Sequence, residues 1–263
     1  MMDKPLESRH PDCEVREAFS MARELMESGD SAEAERMLND NCVAGCSDSM
    51  VLLGCLYAES HEDISPKALG LFIRAADLGN NSGMRNAGYC YALGIGCEQD
   101  KREAVRWYRA SAESGNAKAQ CNLGVMYEFG NGVVKDDVEA AKWFLLSAQN
   151  GYSRGQTNIG VLLMEGRGIT RDIREAEKWF RMSRTPRASY HLARILMEPD
   201  YDGSDRAEAV SILEISAELG YVKAMSLLSE VLADVDEEKS ERLRREVTAI
   251  QESRMNKRAL KSK

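Results

Sequence analysis

Gly88, Gly124 and Gly160 stand 36 residues apart, and so do Trp107, Trp143 and Trp179. The same interval relates Gly94, Gly130 and Gly166; Gly96, Gly132 and Gly168; Asp100, Asp136 and Asp172; Glu103, Glu139 and Glu175; and Ala104, Ala140 and Ala176. Seven columns repeating without a gap describe a chain of stacked modules, each too small to bury its apolar face alone. Within a module the pattern predicts two helices. In Ala117 to Phe129, Ala119, Leu123 and Tyr127 fall four apart and share a face. Gly124 costs this helix about 1 kcal/mol in propensity, so its column implies close approach of a neighbouring helix. Gly130 and Gly132 end the helix. Asp136 with Glu139 opens the second helix as a capping box, the aspartate taking an orphan N–H and the glutamate reaching back. Asp100 with Glu103, Asp172 with Glu175 and Asp205 with Glu208 repeat the device. Ala140, Trp143 or Phe144, and Ser147 or Ala148 then give this helix one face of rings and one of small residues, and Gly151 ends it as Gly115 does one unit earlier.

Degenerate units flank these. Gly54, Tyr57, Ala68, Leu71, Phe72, Ala75, Ala76 and Gly79 fit after a two-residue shortening, with Ser65-Pro66 starting the helix. Downstream, a three-residue contraction near Pro186 puts Ala193 in the glycine column, and Asp205, Glu208, Ala209, Ile212, Ser216, Ala217 and Gly220 stay aligned. Ala224 to Ala233 makes a last first-helix, with Ser229 in the glycine column, and Glu14 to Asn39 an opening pair around Gly29-Asp30. The chain divides into a flexible tail (1–12), a degenerate helical pair (13–45), an array (46–236), a capping helix (237–251) and a basic tail (252–263). The array's units fall near 46–80, 81–115, 116–151, 152–184 and 185–220, with a partial one at 221–236.

Gln120 to Gly132 (Q-C-N-L-G-V-M-Y-E-F-G-N-G), followed by Asp136, Glu139-Ala140, Lys142-Trp143-Phe144, Ser147-Ala148 and Gly151, resembles the Sel-one-like repeats, relatives of the tetratricopeptide repeats. The resemblance runs from about Met50 to Ala233 and is strongest between Asn81 and Ser183. It implies an all-α, right-handed α-solenoid of stacked antiparallel helix pairs, with first helices lining a concave face. It further implies scaffold, adaptor and signalling roles, with a protein or peptide partner. A curved surface of this kind suits the grip of a peptide or helix.

On the first helices, Asn86, Asn122 and Asn158 form a ladder whose amides can both donate to and accept from a peptide backbone, or else bond the adjacent repeat and fix the stacking. More variable neighbours make a specificity surface: Arg85, Cys121 and Thr157 before the asparagines, Tyr89, Val125 and Val161 after the glycines. With Ser82, Lys118 and Arg154 they give the groove a mildly basic character. The candidate partner-binding set is Arg85, Asn86, Tyr89, Lys118, Cys121, Asn122, Val125, Arg154, Thr157 and Asn158. The tryptophans, strictly periodic, read as repeat core and not as an aromatic cage.

Composition excludes other classes. Lys and Arg number 35 against 43 Asp and Glu, a net charge of −8, which argues against nucleic acid as the array's partner. Residues from 237 onward carry nine basic and five acidic side chains, about +4, leaving about −12 on the rest. Leu243, Val247 and Ile250 share a stripe of a helix that seals the last repeat; the basic residues from Arg254 keep docking on acidic protein, RNA or anionic lipid open. No apolar run approaches the roughly 18–20 residues of a membrane span. Met1-Met2-Asp3-Lys4-Pro5 starts no secretory signal, so a cytoplasmic address is expected, with signal-less secretion as an alternative. The seven cysteines, all in the first half, read as reduced small hydrophobes. Cys42 and Cys46, four apart, form a zinc half-site that Cys55 with His61 would complete, or equally two cysteines on one packed helical face. A cysteine-rich branch of the resembled family is associated with penicillin binding and β-lactam hydrolysis, but Cys90 and Cys97 do not recur at 36 residues and no S-x-x-K or G-x-S-x-G site stands out. The reading is a non-catalytic interaction scaffold needing no cofactor or metal, with the β-lactam protein as alternative.

Overall fold

The computed structural model describes residues 20–22, 24–25, 28–59 and 65–261. The readings made at His10, Cys13 and His61, and of the tail 1–12, lie outside them. Among the described residues the regular structure is helical, and the chain forms two compact units divided after Asp136.

The first unit holds α1 (Ser31–Val43), α2 (Ser47–Glu59), α3 (Ser65–Asp77), α4 (Asn81–Leu93), α5 (Lys101–Glu113) and α6 (Ala117–Phe129). The second holds α7 (Asp137–Gln149), α8 (Ser153–Glu165), α9 (Ile173–Met182), α10 (Pro186–Leu196), α11 (Arg206–Glu218), α12 (Val222–Leu232) and α13 (Glu237–Lys261). Within each unit consecutive helices pack together, as in an α-solenoid of helix pairs. The even-numbered first helices also touch one another, α2 with α4, α8 with α10 and α10 with α12. Among the described residues no approach of that extent links the second helices, which places the first helices on the inner side of each unit's stack. The sealing helix read at 237–251 runs on to Lys261, burying Leu243 and Val247.

The glycine column is explained by close approach. A Cβ on Gly160 would lie 2.6 Å from the Phe180 ring, and one on Gly88 2.8 Å from the Tyr108 ring. Phe180 is 1 % exposed, and such a ring contributes about 1.5–3 kcal/mol by leaving water. The glycine thus lets a full aromatic ring of the second helix lie on the backbone of the first. Gly132 has a different task. At φ 76° it sits where a Cβ would strike the Lys101 carbonyl, so the loop of one repeat rests on the start of the preceding second helix.

The capping boxes are one-sided. Asp100 accepts from the Arg102 and Glu103 amides, Asp172 from Glu175, and Asp205 from Glu208. The glutamate does not return the bond, because each aspartate N–H is already spent on the preceding helix. Asp100 donates to Tyr91, Asp136 to Tyr127, Asp172 to Leu163 and Asp205 to Leu196, all at 2.9–3.0 Å. Freed of that role, Glu103, Glu139 and Glu175 pair with Arg106, Lys142 and Lys178 one turn on.

Two further columns hold the stack. Ser111 Oγ donates to the Asn81 carbonyl at 2.6 Å, Ser183 to Ser153 at 2.8 Å and Ser216 to Pro186 at 2.9 Å, each tying a second helix to the start of its own first helix. Gln120 Nε2 donates to the Ala112 carbonyl at 3.1 Å and Gln156 Nε2 to Ala148 at 3.5 Å, each joining a repeat to the one before it. All five side chains are buried, where an unpaired hydroxyl or amide would be costly.

Candidate functional site

Three of the first helices begin at side-chain caps, while α8 and α12 start after Tyr152 and Tyr221 without one. Asn80 accepts from the Ser82 and Gly83 amides at the start of α4, Asn116 from Ala119 at α6, and Thr185 from Ala188 at α10. These caps fix where each helix starts and so which side chains face the same way from repeat to repeat.

The asparagine ladder divides. Asn86 is buried, receives a hydrogen bond from the Arg85 guanidinium and donates to Cys55 Sγ at 3.6 Å in the preceding repeat. Asn158 is buried and accepts from Arg187 Nη1 at 3.0 Å in the following one. Both amides are therefore engaged between repeats. Asn122 is half-buried. Cys121 and Thr157, read as variable groove positions, are 1 % and 2 % exposed and offer a partner no surface. The Thr157 hydroxyl lies 2.7 Å from Ser183 Oγ, 2.8 Å from Thr185 Oγ1 and 3.0 Å from the Ser153 carbonyl, a polar knot at the contracted join before Pro186. Lys118 and Arg154 are exposed, Arg85 and Val125 half-buried.

In the first unit the structure brings three of the candidate residues together. Arg85, Asn86 and Tyr89 line a cavity of about 360 Å³ with Cys55, Phe72 and Ile95. Tyr89, 48 % exposed, stands at its edge, while Phe72 is buried and gives it an apolar wall. The volume suits one large side chain, with a guanidinium and an amide beside it. Cys90 also borders this space; burial pushes its thiol up to about 12, as it pushes Cys42 up to about 11. Neither is a ready nucleophile or metal ligand. Among the described residues, no three His, Cys, Asp or Glu side chains gather as a metal would require.

In the second unit the inner face carries residues that the periodic reading passed over. Ala193 in the glycine column puts His191 in the asparagine column, because Asn158 stands two residues before Gly160 in the same way. That contraction of three residues also aligns Arg187 with Arg154, and Lys223 follows one repeat later. His191 is buried between two rings, stacked on Phe180 at 5.4 Å between centroids and edge-on to Tyr190 at 5.1 Å. Its Nδ1 has no hydrogen-bond partner. Burial, and then the Arg187, Arg194 and Lys223 charges, bring its pKa down to about 4. The ring is neutral at physiological pH. The Arg194 guanidinium lies over the Tyr190 ring, 5.8 Å from its centroid.

The model of the Sel1 repeat family matches residues 47–80, 81–116, 117–152, 153–184 and 186–221. Among solved structures, a Sel1 repeat protein from Oxalobacter formigenes is similar at a TM-score of 0.80 and 24 % identity, over 90 % of this chain and 99 % of that one. A protective antigen present in uropathogenic Escherichia coli strains, displaying an SLR fold, is similar at 0.75 and 23 % identity. That match covers 90 % of this chain and 54 % of the antigen, so the chain spans about half the antigen's length. An immunity protein from Pseudomonas aeruginosa is similar at 0.54 and 18 % identity, over 88 % of this chain and 85 % of that one. No curated protein matches the sequence. At these identities the likenesses concern the fold alone.

Proposed function

Because the chain belongs to the Sel1 repeat family, with five repeats matched between residues 47 and 221, we propose that it is a non-catalytic scaffold that binds a peptide or helix of a protein partner on its first-helix face. The observation that carries this reading is the cavity at Arg85, Asn86 and Tyr89. Several side chains of the first helices are spent on the stack, as Gln120, Gln156 and Thr157 are. At this cavity a large aromatic side chain is instead left half in solvent beside an apolar wall. A partner side chain entering there meets Phe72 and Ile95, while Arg85 and Tyr89 reach its backbone or a polar end. On the second helices several charges are matched internally, as in Arg181 with Glu177 and Glu208.

Affinity capture with the double variant Arg85→Ala/Tyr89→Ala tests the reading, with the second-helix variant Arg106→Ala as control. The proposal expects the first to lose its partners and the second to keep them, at equal melting temperature. Identical captures from both would refute it.

A further inference from the structure

The first helices of the second unit are cationic in an acidic protein. α8, α10 and α12 carry Arg154, Arg187, Arg194 and Lys223, all exposed. Their carboxylates are Glu165, which takes Arg167 at 2.7 Å, and Glu230 on α12. Among the described residues none of the four cations lies within ion-pair distance of a carboxylate. Outside this face, cations of the same unit do find carboxylates: Lys142 takes Glu139, Lys178 takes Glu175, Arg181 takes Glu177 and Glu208, and Lys239 takes Glu214.

Three of the four converge. Arg187, Arg194 and Lys223, from two successive first helices, are the charges that bear on His191. Arg187 also donates to Asn158, which holds its guanidinium on this face, and Arg194 is held over Tyr190. Beside them on the same helix as two of the three lies the His191 imidazole, 9 % exposed. Like charges gathered without counter-ions repel one another, and an incoming anion relieves that repulsion.

We propose that the face of α10 and α12 around His191 docks an acidic segment of the partner protein, two or more carboxylates engaging Arg187, Arg194 and Lys223. This rests on the first-helix face being the binding face. Arg187 and Arg194 are two helical turns apart, about 10 Å at 1.5 Å per residue. That is about one turn of a polyproline-II strand, three residues at about 3.1 Å each, whose side chains three apart share a face, so acidic residues three apart match the pair. Glu230 stands one repeat beyond Arg194 in the same column and limits the cationic patch to a few side chains. A phosphate backbone draws on a longer basic track, and the chain's net charge of −8 opposes it.

Fluorescence anisotropy of the full chain tests the site. The probe is a fluorescein-labelled peptide with glutamates three apart in glycine; a lysine counterpart and a single-stranded oligonucleotide serve as comparisons. The proposal expects the glutamate peptide alone to bind, with affinity falling about tenfold or more at high salt. R187E/R194E/K223E abolishes that binding and K142E/K178E leaves it unchanged. If the charge-reversed variant melts early, R187Q/R194Q/K223Q decides by the same loss. No binding, binding indifferent to these substitutions, or a tighter oligonucleotide complex overturns the assignment. A capture lost with Arg85→Ala/Tyr89→Ala, beside a glutamate peptide that does not bind, removes this inference and leaves the scaffold reading standing. Peptide binding beside a capture indifferent to that variant does the reverse.

Discussion

The Gln120 side-chain amide donates to the Ala112 carbonyl oxygen at 3.1 Å, from the first helix of one repeat to the second helix of the repeat before it. The bond is buried, whereas another polar contact between the two helices, Arg109 with the Tyr127 hydroxyl, is only part-buried. Gln120→Ala removes one of the two hydrogen bonds that this carbonyl accepts, the other coming from the Gly115 amide at 3.0 Å, at a cost of about 0.5–1.5 kcal/mol. Urea denaturation of the variant should show a lower midpoint at unchanged slope; an unchanged midpoint would mean that the bond contributes nothing net.

Gly160→Ala puts a methyl group where the Phe180 ring now lies 2.6 Å from the Cβ position. Forced separation of two packed helices costs about 1–3 kcal/mol, against a helix-propensity gain of about 1 kcal/mol. The net expectation is a lower melting temperature by calorimetry. Gly70→Ala, where no atom lies within 4 Å of the added Cβ, should raise it slightly. Equal effects at the two positions would contradict the packing explanation.

His191 predicts an acid-labile second unit. Its folded pKa, about 4, lies below the usual value of 6.5, so the unfolded chain binds the proton more readily. The contribution is fully present above pH 6.5, shrinks as pH falls, and is gone below about 4, a span worth up to about 3 kcal/mol. His191→Asn restores the residue found at this column in three earlier repeats and should flatten the stability profile in that window. A profile as steep as wild type would show that other groups govern the acid limb.

Thiol reactivity should follow burial. Cys42 and Cys90, with pKa pushed up to about 11 and about 12, should resist iodoacetamide in the native protein, and the half-buried Cys46, Cys55 and Cys97 should react before them. Timed alkylation read by mass spectrometry checks the order, and early labelling of Cys90 would place it in a more open environment than described.

The fold was legible because periodicity is a direct record of packing. The helix read from Ala117 to Phe129 has those bounds in the structure, and the glycine column found its cause in Tyr108 and Phe180. What escaped reading was where spare hydrogen-bonding groups go. Ser111 and Ser183 looked merely small, although their hydroxyls tie helix to helix. The aspartate amides looked available to a capping glutamate, although a carbonyl nine residues back already held them. Of the candidate site, exposure at Tyr89 and Arg154 fits a surface role, but nothing local in sequence distinguishes them from Cys121 and Thr157, whose side chains the same helices turn inward. His191 was hidden by the contraction before Pro186, which shifts the column that would have exposed it.

That contraction also shows where this chain tolerates changes of length. The serine bonds span 30 residues at Ser111, Ser183 and Ser216 alike, and the aspartate amides reach back the same nine at Asp100, Asp136, Asp172 and Asp205. Both measures hold even where the loop before Asp205 has lost its paired glycines. Spacing inside a repeat is therefore fixed by two rulers. The missing residues came out of the join instead, where α9 ends at Met182 and α10 begins at Pro186. Joins are the seams at which such a chain can be cut, lengthened or recombined, and each module carries its own gauge across the splice.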